Sequence, residues 1–120
     1  MKNVTLVLGA SLKTERYSNK AIKKLIAHNH AVEAIGLREG EVDGVHINKE
    51  KIEFSTIDTV TLYLNPSRQE EYYNYIINLA PRRVIFNPGT ENFEFMKLLK
   101  EHKIESEIAC TLVLLATNQY

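Results

Sequence analysis

Apolar and polar positions along the chain follow two spacings, one typical of strands and one of helices. Short apolar runs predict five strands, at residues 4–8, 31–35, 59–64, 83–86 and 105–109. Apolar residues at helical spacing lie between them and predict crossover helices. The first helix is predicted to start at Ser18 as N-cap, and the next at a capping box of Ser67 and Glu70. A further helix is predicted over residues 91–102.

Strands that alternate with helices are typical of a parallel sheet covered on both faces. We therefore expect an α/β fold in one three-layer domain, residues 1–120: a Rossmann-like, doubly wound sheet of five parallel strands in the order 3-2-1-4-5. Residues 40–57 are less regular and fit either a long surface loop or a loop with a short strand at 45–47. Residues 111–116 fit a short helix or an edge strand.

Composition narrows the classes of partner. Fifteen basic and fifteen acidic residues cancel, which argues against nucleic acid as the main partner. Cys110 is the single cysteine, which suits a reducing cytoplasm, and no Cys/His spacing predicts zinc. The first apolar run is too short for a signal peptide, and no run approaches membrane-spanning length. We expect a cytoplasmic protein without a membrane partner.

A glycine turn follows the first predicted strand and leads into the first helix. Backbone N–H groups at such a turn favour a phosphate, so Gly9 is interpreted as a phosphate turn. Residues 13–24 contain five basic residues and one acid, Glu15, a local excess of four positive charges. This excess suits an anion with several phosphates. Arg16 and Lys20 flank the turn and are interpreted as functional, whereas Lys23 and Lys24 are interpreted as a solvated face.

The usual dinucleotide fingerprint is absent, because Ser11 stands where G-x-G-x-x-G requires its second glycine. An NAD enzyme carries an acid after its second strand, where this chain has Gly36, Leu37 and Arg38. Arg38 favours a phosphorylated ribose, as in NADP or in coenzyme A (CoA). A solvent-facing Arg38 stays an alternative.

Several of these segments together resemble a known family. They are Gly9-Ala10-Ser11, Arg16-Tyr17-Ser18-Asn19-Lys20, Gly44-Val45, Pro88-Gly89 and the strand end at Cys110. The pattern is similar to that of the small stand-alone CoA-binding proteins. Their Rossmann-like domain also forms the N-terminal part of the succinyl-CoA synthetase α subunit.

The resemblance implies that CoA or an acyl-CoA is held across the strand ends. The pyrophosphate would face residues 9–11, the adenine would lie near residues 36–38, and the pantetheine would run from residues 64–66 towards 87–89. The implied binding residues are Gly9, Ala10, Ser11, Arg16, Tyr17, Ser18, Lys20, Gly36, Arg38, Leu64, Asn65, Pro66, Asn87, Pro88 and Gly89.

No nucleophile–base pair or carboxylate pair is evident, so no catalytic residue is predicted. Cys110 is interpreted as a small buried hydrophobe, with pairing to the CoA thiol as the alternative. Tyr72, Tyr73 and Tyr75 are interpreted as packing residues or as the face of a homodimer. The leading hypothesis is a non-catalytic, regulatory CoA or acyl-CoA binder. The alternatives are an NADP-linked oxidoreductase and a nucleotide-binding subunit of a larger acyl-CoA enzyme.

Overall fold

A seven-stranded sheet crosses the centre of the computed structural model, which describes residues 3–120. Its strands are β1 (Val4–Ala10), β2 (Ala31–Gly36), β3 (Gly40–Val42), β4 (Val45–Asn48), β5 (Ile57–Leu62), β6 (Arg83–Phe86) and β7 (Glu105–Ile108). The helices are α1 (Tyr17–Ala27), α2 (Pro66–Gln69), α3 (Tyr73–Leu79), α4 (Phe93–Glu101) and α5 (Thr111–Ala116), with a 3₁₀ turn at Glu70–Tyr72. None of the described helices has the length and apolar character needed to cross a membrane.

The strand order is β3-β4-β2-β1-β5-β6-β7, which corrects the predicted order 3-2-1-4-5 and the predicted count of five strands. The third predicted strand, β5, pairs with β1 instead of lying outside β2. The outer edge of β2 is occupied by β4, whose Ile47 pairs with Ala34. Within residues 3–120 only the β3–β4 pair is antiparallel. The α/β class and the mainly parallel sheet agree with the prediction.

A two-residue turn produces the additional hairpin. Asp43 and Gly44 both have positive φ, at 48° and 83°, which matches the twist of the flanking strands. The hairpin places Val42 opposite Val45, and both side chains are buried against the sheet. Residues 45–48 thus form a strand, which decides between the two interpretations of residues 40–57.

Helices cover both faces of the sheet, because successive strand residues point to opposite faces. Leu6 lies in one apolar cluster and Val7 in the other. On the face of Val7, α1 contributes Ile22 and Leu25, and α5 contributes Leu115. On the face of Leu6, the buried residues are Ile76 of α3 with Phe95 and Leu99 of α4. Burying such side chains stabilises the fold by about 1.5–3 kcal/mol each.

Both predicted helix starts require correction. Helix α1 begins at Tyr17 after an extended Arg16, and no side chain caps it, so Ser18 is not the N-cap. Asn65 rather than Ser67 caps α2, since its Oδ1 accepts from the Arg68 N–H at 3.0 Å. Pro66 explains the shift: its fixed φ suits the first helical position and it lacks an N–H that would need a partner.

The side chain of Asn87 joins three elements beneath the carboxyl ends of the strands. Its Nδ2 donates to the Thr61 hydroxyl at 2.7 Å and to the Leu62 carbonyl at 2.9 Å. Its Oδ1 accepts from the Thr111 N–H at 2.9 Å. Asn87 is 2% exposed, so these bonds link β5, β6 and the start of α5 without competition from water.

Gly36→Ala is expected to destabilise the protein by about 1–3 kcal/mol, because the new Cβ would lie 2.2 Å from the Ala10 carbonyl oxygen. Gly40→Ala is the matched control, since its Cβ would meet the side chain of the exposed Leu12, which can move aside. Urea unfolding followed by circular dichroism measures both. Equal stabilities for the two variants would contradict the prediction.

Asn87→Ala is expected to cost about 2–4 kcal/mol of unfolding free energy, because it leaves buried groups of Thr61, Leu62 and Thr111 without their partner. Asn74→Ala, an exposed change on α3, should stay within about 0.5 kcal/mol of the parent. Chemical denaturation measures both changes. A loss below about 1 kcal/mol for Asn87→Ala would show that these bonds contribute little.

Candidate functional site

A cleft of about 610 Å³ lies at the carboxyl ends of β1, β2, β5 and β6. The chain leaves β1 through α1 on one face of the sheet and leaves β5 through α2 and α3 on the other. The boundary between β1 and β5 is therefore the switch point of the sheet, where ligands bind in open α/β folds. The topology alone places a candidate binding site here.

Two glycines let the backbone form the floor of this cleft. Gly9 has φ +96°, and a Cβ on it would lie 3.0 Å from the carbonyl carbon and oxygen of Tyr63. A Cβ on Gly36 would clash with Ala10, as described above. Side chains at either position would push the strand ends apart, so the close approach of β1, β2 and the segment after β5 requires glycine.

The loop between β1 and α1 is held by its own hydrogen bonds. The Ser11 hydroxyl accepts from the Lys13 N–H at 3.1 Å, and the Ser11 carbonyl accepts from Asn19 Nδ2 at 2.9 Å. The first turn of α1 contains no acid, and no side chain caps it. Its N–H groups, which have no partner within the helix, can therefore bind an anion with help from the helix dipole.

The cleft concentrates positive charge in a neutral protein. Lys13, Arg16, Arg38 and Arg68 line it. No Asp or Glu of the described chain lines it, and none of the ion pairs found within residues 3–120 involves these four cations. A concave region with one sign of charge attracts ligands of the other sign, so the cleft favours an anion.

Tyr17, Tyr63 and Tyr72 also line the cleft, and the hydroxyl of Tyr63 is itself buried. Burial raises the pKa of Tyr63 to about 12, and burial followed by the Glu71 charge raises that of Tyr72. Both phenols therefore stay neutral at physiological pH. Neither His nor Cys belongs to the described lining, and no group of acids, His or Cys in residues 3–120 could hold a metal ion. The arrangement offers cations and hydrogen-bond donors for binding.

The structure brings most of the predicted binding residues into one cleft. The residues that line it are Gly9, Ala10, Ser11, Arg16, Tyr17, Ser18, Gly36, Arg38, Leu64, Asn65, Pro88 and Gly89. Lys20, Pro66 and Asn87 do not belong to the lining. The Lys20 ammonium lies 5.3 Å from the centre of the exposed Tyr17 ring, Pro66 begins α2, and the Asn87 side chain lies below the strand ends.

Sequence reasoning did not assign several lining residues to the site. They are Leu12, Lys13, Ile35, Tyr63, Arg68, Tyr72 and Thr90, whereas Leu37 lies within the predicted adenine segment, residues 36–38. Lys13 belongs to the basic segment that the sequence identified. Arg68 lies two residues after Pro66, just beyond residues 64–66, which the sequence did assign to the site. Tyr63 and Tyr72 were missed, since only the packing of the 3₁₀ turn and of the segment after β5 places them here.

Comparison with known proteins agrees with the geometry. A family model described as "CoA binding domain" matches residues 3–116. An uncharacterized protein of known crystal structure is 46% identical, with a TM-score of 0.95 over 100% of this chain and 99% of the other. A hypothetical protein from Pyrococcus horikoshii OT3 is 29% identical, with a TM-score of 0.81 over 93% of this chain and 80% of the other.

A Thermus thermophilus protein shares the fold at 20% identity, with a TM-score of 0.86 over 99% of this chain and 91% of the other. No curated protein matches the chain. The family match covers the glycine turn, the basic loop and every strand of the sheet, and it confirms the resemblance that the sequence indicated. The chain therefore belongs to the CoA binding domain family.

Proposed function

We propose that the chain binds CoA or an acyl-CoA across the carboxyl ends of its strands, without catalysing a reaction itself. The cleft carries the proposal. It combines the uncapped start of α1 with four cations that form no ion pair within residues 3–120, in a member of the CoA binding domain family. CoA is a polyanion with a pyrophosphate and a ribose phosphate, so the charge of the cleft complements it.

The pyrophosphate is proposed to lie on the β1–α1 loop. Gly9 lets the backbone approach the ligand closely, and Ser11 contributes a half-buried hydroxyl. Arg16 and Ser18 lie at the start of α1, where the dipole and the unpaired N–H groups favour a phosphate. Lys13 adds a fourth polar contact from the same loop.

The remaining length of the ligand is proposed to follow the rim of the sheet. Gly36 and Arg38 form the end of the cleft at β2, beside the proposed adenosine position. Leu64 and Asn65 lead from there to the Pro88–Gly89 turn, along the proposed path of the pantetheine. Lys20 and Asn87 are proposed to act indirectly. The Lys20 ammonium contacts the Tyr17 ring, and the Asn87 side chain holds the strand ends together through its bonds to Thr61 and Thr111.

The lining supports binding rather than catalysis. The side chains that most often act as general acids or bases are those of His, Glu and Asp, and the described lining contains none of them. Cys110 is a half-buried free thiol that does not belong to the lining. A free thiol without a disulfide fits a reducing cytoplasm, where the chain is proposed to act as a regulatory CoA binder.

An NADP-linked oxidoreductase is the second candidate, because Arg38 and its neighbouring cations also suit a phosphorylated ribose. The chain lacks the glycine fingerprint of that class, and Ser11 replaces its second glycine. NADP and CoA share a pyrophosphate and an adenosine phosphate, so the charge of the cleft does not distinguish them. Measuring the binding of both ligands to the same protein separates the two candidate functions.

CoA is expected to raise the melting temperature by about 10 °C at a hundredfold excess over its Kd, since ligand binding to the native state adds about 2.7 kcal/mol. NAD, which lacks the ribose phosphate, should raise it much less. Thermal unfolding of the same preparation with CoA, acetyl-CoA, NADP and NAD measures the series. A shift with NADP but none with CoA would contradict CoA binding.

Ser11→Asp is expected to weaken CoA binding by about tenfold or more, because the new carboxylate would stand against the pyrophosphate. The aspartate can still accept the Lys13 N–H, so the loop is kept. Ser55→Asp, at an exposed position outside the cleft, is the matched control and should bind normally. Isothermal titration measures both, and equal affinities would remove the β1–α1 loop from the site.

A further inference from the structure

The floor of the cleft changes in character where β5 and β6 end. The last pair of their ladder is Leu62 with Phe86, and beyond it the chain continues as two segments, residues 63–65 and 87–90, without further strand pairing between them. Both segments line the cleft, through Tyr63, Leu64, Asn65, Pro88, Gly89 and Thr90. Beyond the ladder, the distance between the two segments therefore depends on side-chain contacts.

Gln69 of α2 bridges the two segments. Its Nε2 donates to the Leu64 carbonyl and to the Thr90 carbonyl, both at 2.8 Å. Its Oε1 accepts from Asn92 Nδ2 at 3.0 Å. Gln69 is 0% exposed and does not belong to the described lining, so neither water nor a ligand in the cleft competes for these bonds. The amide thus joins both sides of this part of the cleft from beneath its surface.

Asn92 holds the Gln69 amide in one orientation. Its Oδ1 caps α4 by accepting the Phe95 N–H at 3.1 Å, and this leaves its Nδ2 to donate to Gln69. A flipped Gln69 amide would place its oxygen against the carbonyls of Leu64 and Thr90, where no donor is available. Only the observed orientation satisfies all three partners, so the bridge keeps the two segments at one separation.

The two bridged segments form the proposed path of the pantetheine, whereas the adenosine and the pyrophosphate are proposed to lie at β2 and β1. We propose that Gln69 is a positioning residue that sets the width of this path and so determines how tightly the pantetheine arm is bound. This inference rests on the proposed function, because it assigns one part of the same ligand to a residue outside the lining. A path that is formed before binding avoids the entropic cost of ordering its walls around the ligand.

The test compares CoA with 3′-phosphoadenosine 5′-diphosphate, the part of CoA that remains without the pantetheine arm, by isothermal titration. Gln69→Leu keeps a side chain of comparable size and removes the bridge. We expect it to weaken CoA binding by about tenfold and to change binding of the truncated ligand by less than about twofold. Asn92→Asp keeps the cap of α4 but loses the N–H that holds Gln69, so it should weaken CoA binding selectively by a smaller factor.

Thr59→Val is the matched control. The Thr59 hydroxyl donates to Asp58 at 2.7 Å and accepts from Arg83 Nε at 3.0 Å, and the residue is 1% exposed near the amino end of β5, away from the cleft. This variant loses buried hydrogen bonds as Gln69→Leu does, but it should bind both ligands as the wild type does. Melting temperatures of the free variants show whether each is folded. A general loss of stability changes both affinities together, so their ratio reports positioning.

The other outcomes separate the inference from the proposed function. Equal weakening of both ligands in Gln69→Leu would overturn the inference, and so would an unchanged CoA affinity. If Gln69→Leu did not fold, the same criteria would apply to Asn92→Asp. A wild type that bound the truncated ligand as tightly as CoA would also overturn it, since the arm would then contribute no affinity. All of these results leave CoA binding intact, whereas a wild type that bound neither ligand would refute the proposed function and the inference with it.

Discussion

The close contact of backbone at the ends of β1 and β2 is the constraint on which the candidate site depends. Only hydrogen fits on Gly36 beside the Ala10 carbonyl, and only glycine adopts the φ of Gly9 without strain against the segment after β5. Because these strand ends meet without side chains between them, the cleft has a floor of peptide groups. The charged residues stand around this floor instead of filling it.

The charge of the cleft arises from where the acids are placed. The chain is neutral overall, but none of its described acids lines the cleft, and some pair with cations elsewhere, as Asp58 does with Arg82 and Glu107 with Arg83. The basic residues of the cleft are left without such partners within residues 3–120. Net charge therefore gives little information about this protein's ligand, whereas the separation of its charges gives a great deal.

Local patterns in the sequence predicted the positions of five strands and several turns. They did not predict the strand order, because it depends on which distant strand pairs with each edge. The Asp43–Gly44 turn is a strong hairpin signal, yet only the structure shows that its strand β4 occupies the edge of β2. With that edge occupied, β5 pairs with β1, and the order of the sheet changes. Pro66 could have indicated that Asn65 and not Ser67 caps α2, because proline favours the first helical position.

The candidate site was predictable where the backbone forms it and unpredictable where helix packing does. The buried Gln69 shows the reason. Its Nε2 donates to the Leu64 and Thr90 carbonyls, both at 2.8 Å, and this fixes the rotation of α2 against the β6 turn. That rotation decides that the neighbouring Arg68 faces the cleft. Asn87 is the opposite case: it follows a strand as a ligand residue does, but its amide is occupied by Thr61, Leu62 and Thr111. Position along the chain indicates which residues reach the rim, and hydrogen bonding decides which of them remain available to a ligand.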